Sequence, residues 1–166
     1  DVHEGMNVRY LDPEDIGGPV DLTVADLSFI SLTMVVSALA GATRPGGNLL
    51  LMVKPQFEVG REKLEKAGVV LDPQKHRMAV ARVVESALTA NLHIAGLAPS
   101  PLPGQNGNVE FFLWLQVPAP GTPHPDATLD AQAAARRLVD EAFDGFDGPG
   151  TKLADRLADG ERPAED

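Results

Sequence analysis

The chain has 166 residues, enough for one domain with a sizeable hydrophobic core. It has no cysteine, which excludes disulfide scaffolds, thiolate zinc sites and cysteine nucleophiles and fits a reducing cytoplasm. Its formal net charge of −10 excludes a generally basic surface, so any affinity for RNA must come from a local patch or from a segment outside this chain.

The first 117 residues alternate strand and helix signals. Short apolar, β-branched runs predict strands, and apolar residues at helical spacing between Gly, Pro or Asp boundaries predict helices. The second helix is expected to bury Met78, Ala81, Val84 and Leu88. The predicted elements are, in order, strand 20–25, helix 31–43 with a terminator at 44–47, strand 48–53, a polar loop at 58–70, a helix from the Asp72-Pro73 cap to 91, strand 92–97 and a final strand 109–117.

The composition changes near Val117. Residues 118–125 are rich in proline and predict a linker, and the alanine-rich residues 127–143 predict a helix with Asp126 or Thr128 as its cap. The residues from 144 onward are rich in glycine and acidic side chains, which predicts disorder with a helical turn near 152–157. We therefore expect a folded unit over 1–117 and, over 118–166, a linker, a short solvated helix and an acidic tail.

The order of these elements predicts an α/β fold. Strands joined by helical crossovers form a parallel sheet, whereas the last connection, which lacks a helix, predicts that the final two strands pair antiparallel. An open sheet of parallel strands that ends in one reversed strand is typical of Rossmann-like methyltransferases. No run approaches the roughly eighteen apolar residues that a transmembrane helix needs, so no membrane span is expected.

Three ionisable residues are predicted to share one edge of this sheet. Asp26 and Lys54 each directly follow a parallel strand, and Glu110 begins the reversed strand, which starts at the same edge. Ligands of open α/β sheets bind at this carboxyl edge. Each residue alone could simply be a polar strand end that meets solvent. Their convergence favours a functional site.

The residues around these positions resemble the TlyA-type family of haemolysin-annotated rRNA 2′-O-methyltransferases, related to the FtsJ group. The resemblance covers roughly residues 7–116 with order and spacing preserved. It rests on Asn7-Val8-Arg9, on the runs DLSFIS at 26–31 and VKPQFE at 53–58, and on GVV at 68–70, SPLPG at 100–104 and GNVE at 107–110.

The resemblance implies S-adenosylmethionine-dependent methylation of a ribose hydroxyl of rRNA by a Lys-Asp-Lys-Glu tetrad. Asp26, Lys54 and Glu110 match its last three positions as catalytic residues, and Asp26 and Leu27 are expected to contact the cofactor. The first lysine, the glycine-rich cofactor loop and a small RNA-binding domain would precede this chain. Because it begins at Asp1 without a methionine, we expect a carboxyl-terminal fragment that is inactive alone.

The family picture leaves the role of Lys54 open. The lysine either accepts the proton of the attacking hydroxyl or stays charged and stabilises the developing alkoxide. The run Asp26-Leu27-Ser28-Phe29 differs from the Asn/Asp-Pro-Pro-Tyr/Phe motif of amino-group methyltransferases, which favours a ribose hydroxyl as acceptor. Phe29 and Phe57 either stack on a base or pack at the rim.

Other functions have weaker support. The histidines lack the spacing of metal ligands, so no metal site is expected. Ser28 lacks the G-x-S-x-G context of a hydrolase nucleophile. An inactive remnant or interaction module is the main alternative to an enzyme. A membrane-active haemolysin is opposed by the lack of a spanning segment and of a basic amphipathic helix. The histidines are His3, His76, His93 and His124.

Overall fold

The computed structural model describes residues 1–60, 68–122 and 131–144. Within them, four strands and four helices form one α/β unit, with short 3-10 turns at Val8–Tyr10, Pro13–Ile16, Leu32–Met34 and Gln105–Gly107. The strands and helices are β1 Val20–Ala25, α1 Val36–Gly41, β2 Thr43–Val53, α2 Pro55–Glu58, α3 Pro73–Thr89, β3 His93–Pro99, β4 Phe111–Gln116 and α4 Ala131–Phe143.

The sheet has the strand order β1-β2-β4-β3. β1 and β2 are parallel, and β4 is antiparallel to both β2 and β3, so β3 runs in the same direction as β1 and β2. The predicted parallel sheet with a reversed last strand is therefore confirmed, as is the antiparallel pairing of the last two strands. The last strand lies between β2 and β3 rather than at the outside of the sheet.

The helix predicted over 31–43 ends at Gly41, and residues 44–47, predicted as a terminator between helix and strand, belong to the strand instead. The 3-10 turn Leu32–Met34 and the short α1 precede it, and residues 44–47 form the start of β2. Glycine is required there, because a Cβ on Gly47 would lie 2.9 Å from the carbonyl oxygen of Asp21. The parallel pairing shifts register at this point, between Val20 and Leu22, so the irregular sequence is accommodated in a bulged strand.

The hydrophobic core lies on the face of the sheet that α1, α3 and α4 cover. Asp72 caps α3 as predicted, since its Oδ1 accepts a hydrogen bond from the backbone N–H of Gln74 at 2.9 Å. Of the residues predicted for the buried face of α3, Val84 is buried and Ala81 and Leu88 pack against the core, whereas Met78 is 40% exposed. The fully buried residues of α3, β2 and β4 are His76, Ala79, Val80, Val83, Val84, Ala87, Leu49, Leu51, Val53, Phe111, Leu113 and Leu115.

The opposite face of the sheet is uncovered by the described residues, and we call it the open face. The strand register places six apolar side chains there: Leu22, Val24, Leu50, Met52, Phe112 and Trp114. Three of them are strongly exposed, Leu22 at 55%, Val24 at 65% and Trp114 at 49%. Apolar residues on both faces are typical of a sheet that is covered on both sides.

Helix α4 belongs to the core. Predicted over 127–143, it is described over Ala131–Phe143, with Ala134, Ala135, Val139 and Phe143 buried. The expectation of a solvated helix is therefore wrong. The Phe143 ring stacks on Phe111, and the guanidinium of Arg77 lies 5.0 Å from its centroid. The predicted caps, the predicted turn at 152–157 and the rest of the tail lie outside the described residues. None of the helices in the described ranges is both long and apolar enough to cross a membrane.

Candidate active site

The three predicted site residues meet at the carboxyl edge of β1 and β2. Asp26 and Lys54 directly follow these strands, and Glu110 directly precedes β4, which starts at the same edge. The ammonium Nζ of Lys54 lies 2.6 Å from Oδ1 of Asp26 and 4.0 Å from Oε1 of Glu110. One cation is therefore held between two carboxylates that come from different strands.

The three side chains differ in their exposure to solvent. The side chains of Lys54 and Glu110 are only 14% and 8% exposed, whereas that of Asp26 is 63% exposed. A charge-assisted hydrogen bond is stronger where water is excluded, so the partly buried Lys54 side chain favours a defined position of the ammonium. Asp26 forms the accessible side of the group and is the carboxylate that a ligand can reach.

The position of Glu110 depends on neighbours that the sequence analysis missed. Gln56 Nε2 donates a hydrogen bond to Glu110 Oε1 at 3.3 Å, and the backbone N–H of Ser100 donates to the Glu110 carbonyl at 2.7 Å. Gly104 lies against the carboxylate, because a Cβ at that position would collide with the Glu110 side chain. The sequence signals that could have pointed to these neighbours of Glu110 were Gln56, which lies in the same motif as Lys54, and Gly104, which lies in the loop before Glu110.

A second missed residue, Glu58, connects the segments that follow β1 and β2. It is only 4% exposed, although it was predicted to begin a polar loop. Its carboxylate accepts hydrogen bonds from the hydroxyl of Ser31 at 2.5 Å and from the backbone N–H of Leu32 at 2.8 Å. Burial raises the pKa of the Glu58 carboxyl above its usual 4.5, and these hydrogen bonds and the charge of Arg82 offset part of the rise.

Two aromatic rings lie on the same two segments as the ion pair. Phe29 is 89% exposed and has a φ of +63°, a conformation that non-glycine residues rarely adopt. Its ring contacts that of Phe57, with centroids 5.3 Å apart. Leu27, the other predicted cofactor contact, is partly buried against the core. The side chain of Phe29 is thus directed to solvent from a loop that adopts a costly backbone conformation.

His76 is buried and supports the loop beside the site. Its Nε2 lies 2.7 Å from the carbonyl oxygen of Val70, and its buried Nδ1 has no hydrogen-bond partner among the described residues. Burial lowers the pKa of His76 below 6.5, and the bond to Val70 and the charge of Asp72 oppose part of the change. Asn108 accepts a hydrogen bond from the N–H of Val70 at 3.0 Å.

No group of three or more His, Asp or Glu side chains in the described ranges is arranged to bind a metal ion.

Comparison with known proteins shows the family to which the chain belongs. The model of the FtsJ-like methyltransferase family matches residues 1–117. The chain belongs to that family. The match includes Asp26, Lys54 and Glu110, ends before α4, and agrees with the resemblance seen in the sequence motifs.

The family relatives include rRNA methyltransferases. The chain is 50% identical over 115 residues to the 16S/23S rRNA (cytidine-2′-O)-methyltransferase TlyA of Mycobacterium tuberculosis, covering 69% of this chain and 43% of that protein. It is 38% identical over 121 residues to the "Putative rRNA methyltransferase YqxC" of Bacillus subtilis, covering 72% and 43%. The chain thus spans less than half of the length of either curated relative.

A solved structure shares the fold. The "Putative hemolysin from Streptococcus thermophilus" superposes with a TM-score of 0.68 at 32% sequence identity, covering 85% of this chain and 49% of that one. Both the sequence and the structural comparison therefore relate this chain to part of a longer relative.

Proposed function

We propose that the protein to which this chain belongs transfers a methyl group from S-adenosylmethionine to a ribose 2′-hydroxyl of rRNA. The observation that carries the proposal is the placement of Lys54 between the carboxylates of Asp26 and Glu110 at the edge where α/β sheets bind ligands. Membership of the FtsJ-like methyltransferase family and 50% identity to an rRNA (cytidine-2′-O)-methyltransferase support the reaction class and the substrate.

The reaction breaks the bond between the sulfonium sulfur and its methyl group and forms a bond between that methyl and the ribose oxygen. The hydroxyl proton must leave as the oxygen attacks. Lys54 either accepts this proton or, as a fixed cation, stabilises the negative charge that develops on the oxygen. Asp26 and Glu110 hold the lysine at the reacting edge, and such positioning is itself a large part of catalysis in transfer reactions.

Part of the cofactor site is expected at Asp26 and Leu27. The accessible carboxylate of Asp26 beside the apolar Leu27 fits a ligand that combines positive charge with an apolar or aromatic portion. S-adenosylmethionine has this character and supplies an electrophilic methyl group when bound. The rest of the cofactor site is expected in the sequence that the longer relatives carry beyond the matched part.

Recognition of rRNA is expected to depend on two separate features. The net charge of −10 gives this chain little general attraction for phosphates, so most of the affinity is expected from an additional basic RNA-binding segment. Phe29, exposed three residues after Asp26, offers a face on which a base can stack. The substrate also implies that the protein works in the cytoplasm.

The proposal is tested with the full-length protein, ribosomal subunits and labelled S-adenosylmethionine. We expect methyl transfer to a ribose, identified by mass spectrometry of nucleosides, and a loss of about a hundredfold or more in Lys54→Met. Arg44→Met removes a cation from the opposite end of β2 and serves as the control, with wild-type turnover expected. Full activity in Lys54→Met, or methylation of a base nitrogen instead of a ribose, would refute the proposal.

A further variant separates the two roles of Lys54. Arginine keeps its charge at all relevant pH values, so Lys54→Arg can stabilise an alkoxide but cannot act as a base. Retention of activity at about a tenth of the wild-type rate or more indicates electrostatic stabilisation. Loss equal to that of Lys54→Met indicates proton transfer.

An interaction module is the second candidate function, and the open face is the observation that favours it. Leu22, Val24 and Trp114 together expose more apolar surface than scattered single residues would. If the full-length protein binds ribosomal subunits but transfers no methyl group, this candidate replaces the enzyme.

A further inference from the structure

We propose that Glu58 is a positioning residue for methyl transfer, which holds the loop carrying Asp26 against the helical turn carrying Lys54. The inference rests on the proposed function. No hydrogen bond or ion pair in the described residues joins the Glu58 carboxylate to either side chain, and its hydrogen bonds go to residues of the segment that follows Asp26.

The carboxylate of Glu58 caps the 3-10 turn that follows β1. The backbone N–H of Leu32 starts this turn, and Glu58 Oε1 accepts its hydrogen bond at 2.8 Å. Glu58 Oε2 accepts from the hydroxyl of Ser31, the residue whose own side chain caps the turn internally by accepting from the N–H of Thr33. Groups at a helix start lack partners within the helix, so an external carboxylate stabilises them effectively.

The other end of the connection is fixed as well. Glu58 ends α2, a single turn that begins directly after Lys54, and Pro55 in its first position is buried. The guanidinium Nη1 of Arg82, on α3, donates to the carbonyl oxygen of Glu58 at 2.7 Å. The turn between Lys54 and Glu58 is therefore attached to the largest helix of the core, and its orientation determines where Lys54 stands.

Three contacts join the two segments, and they occur in the same order along both. Lys54 pairs with Asp26, then the ring of Phe57 contacts that of Phe29, and then Glu58 binds the start of the 3-10 turn. Burying a carboxylate is costly, and an apolar residue would fill the space at lower cost. The carboxylate is therefore not needed merely to fill space. Because it accepts hydrogen bonds from two fixed donors, it can fix the separation of the two segments.

The chemistry of the contact predicts which substitutions are tolerated. In Glu58→Gln the amide oxygen can accept from Leu32, and the amide NH₂ can donate to the Ser31 hydroxyl, whose own proton can turn to Thr33 Oγ1, 2.7 Å away. Glu58→Ala removes both contacts and leaves the N–H of Leu32 without an acceptor. Glutamine should therefore rescue what alanine loses.

The experiment measures turnover in the full-length protein and hydrogen exchange at residues 26–32. We expect Glu58→Ala to lower kcat by about tenfold or more and to accelerate exchange in this segment while exchange in α3 is unchanged. Glu58→Gln is expected to stay within about threefold of wild type in both measurements. The matched control is Glu14→Ala, which removes an exposed carboxylate from the 3-10 turn Pro13–Ile16 and should change neither.

Two results overturn the inference: wild-type kcat in Glu58→Ala, or a loss in Glu58→Gln as large as that in Glu58→Ala. If Glu58→Ala fails to fold, Ser31→Ala takes its place; it removes the donor to Glu58 Oε2 together with the internal bond from the N–H of Thr33, and keeps the donor of Leu32. It should lower kcat by about threefold and accelerate exchange at 26–32, and wild-type values in both would count against Glu58. If the wild-type protein transfers no methyl group, the proposed function fails, and the exchange measurement still decides whether Glu58 holds the loop.

Discussion

The ring of Phe143 stacks on that of Phe111 with centroids 4.9 Å apart and planes inclined by 29°. Phe111 is the first residue of β4 and directly follows Glu110, so the last described helix packs behind the strand that carries a site carboxylate. The family match ends at residue 117, yet α4 fills the same core as the matched part. The structural unit is therefore larger than the segment shared with the family model.

Removing the Phe143 ring should destabilise the whole unit. Phe143→Ala deletes a side chain that is 3% exposed and leaves a cavity beside Phe111, so we expect a loss of about 3–5 kcal/mol in the free energy of unfolding. Urea denaturation of the purified chain measures it. Phe29→Ala is the control, because that ring is 89% exposed and should contribute less than about 0.5 kcal/mol. Equal losses in the two variants would show that α4 is not part of the core.

A methyl group at Gly104 should displace Glu110. The new Cβ would overlap the Glu110 carboxylate, so in the full-length protein Gly104→Ala should lower methyl transfer by about 10- to 100-fold. Gly41→Ala is the matched control, since no atom lies within 4 Å of a Cβ at that position. Wild-type turnover in Gly104→Ala would show that the carboxylate moves without consequence and would remove Glu110 from the proposed machinery.

Acid should destabilise the chain through His76. Because burial lowers the pKa of His76 in the folded state below its unfolded value of 6.5, the unfolded chain binds the additional proton. The free energy of unfolding should therefore be unaffected by this group well above pH 6.5 and should fall as the pH decreases through that value. Urea denaturation between about pH 7.5 and about pH 5.5 covers the window.

The variant His76→Gln isolates this contribution. Burial raises the pKa of Glu58, which makes the folded state less stable as the pH rises above 4.5, so the two groups have opposite slopes. Glu58 contributes equally to both proteins, so subtracting the free energy of unfolding of His76→Gln from that of wild type at each pH cancels its contribution and leaves that of His76. Identical pH dependence in both proteins would contradict the assignment to His76.

The open face should cause the isolated chain to self-associate. It exposes Leu22 and Val24 on β1, whose outer edge has no partner among the described strands. We expect concentration-dependent sedimentation in analytical ultracentrifugation and a shift toward the monomer in Val24→Lys. Leu102→Lys, which places the same charge on an equally exposed loop residue, should sediment as the parent does. An unchanged profile in Val24→Lys would place the contact elsewhere.

Local sequence patterns predicted the strands and their directions. The directions in turn predicted that Asp26, Lys54 and Glu110 meet at one edge of the sheet. This succeeded because strand polarity determines at which edge a following residue lies, whatever the details of packing. The insertion of β4 between β2 and β3 was not predicted, since it depends on register between distant segments.

The features that the sequence analysis missed have a common physical cause, which is that they depend on contacts between distant segments. Glu58 looked like a loop residue because its partners, Ser31 and Leu32, lie on another segment. Helix α4 has small alanines and few large apolar residues, so its burial depends on the fit of Phe143 against Phe111. A contact of this kind cannot be predicted from the composition of the helix.

The position of β4 also bears on how the site is completed during protein synthesis. β1, β2 and β3 all leave the ribosome before the strand that must pair between two of them. Asp26 and Lys54 can form their ion pair early, whereas Glu110 joins them only when the nascent chain has been released through Gln116 and β2 and β3 accept the new strand between them. The group of Asp26, Lys54 and Glu110 is thus completed only after the last strand of the sheet has left the ribosome.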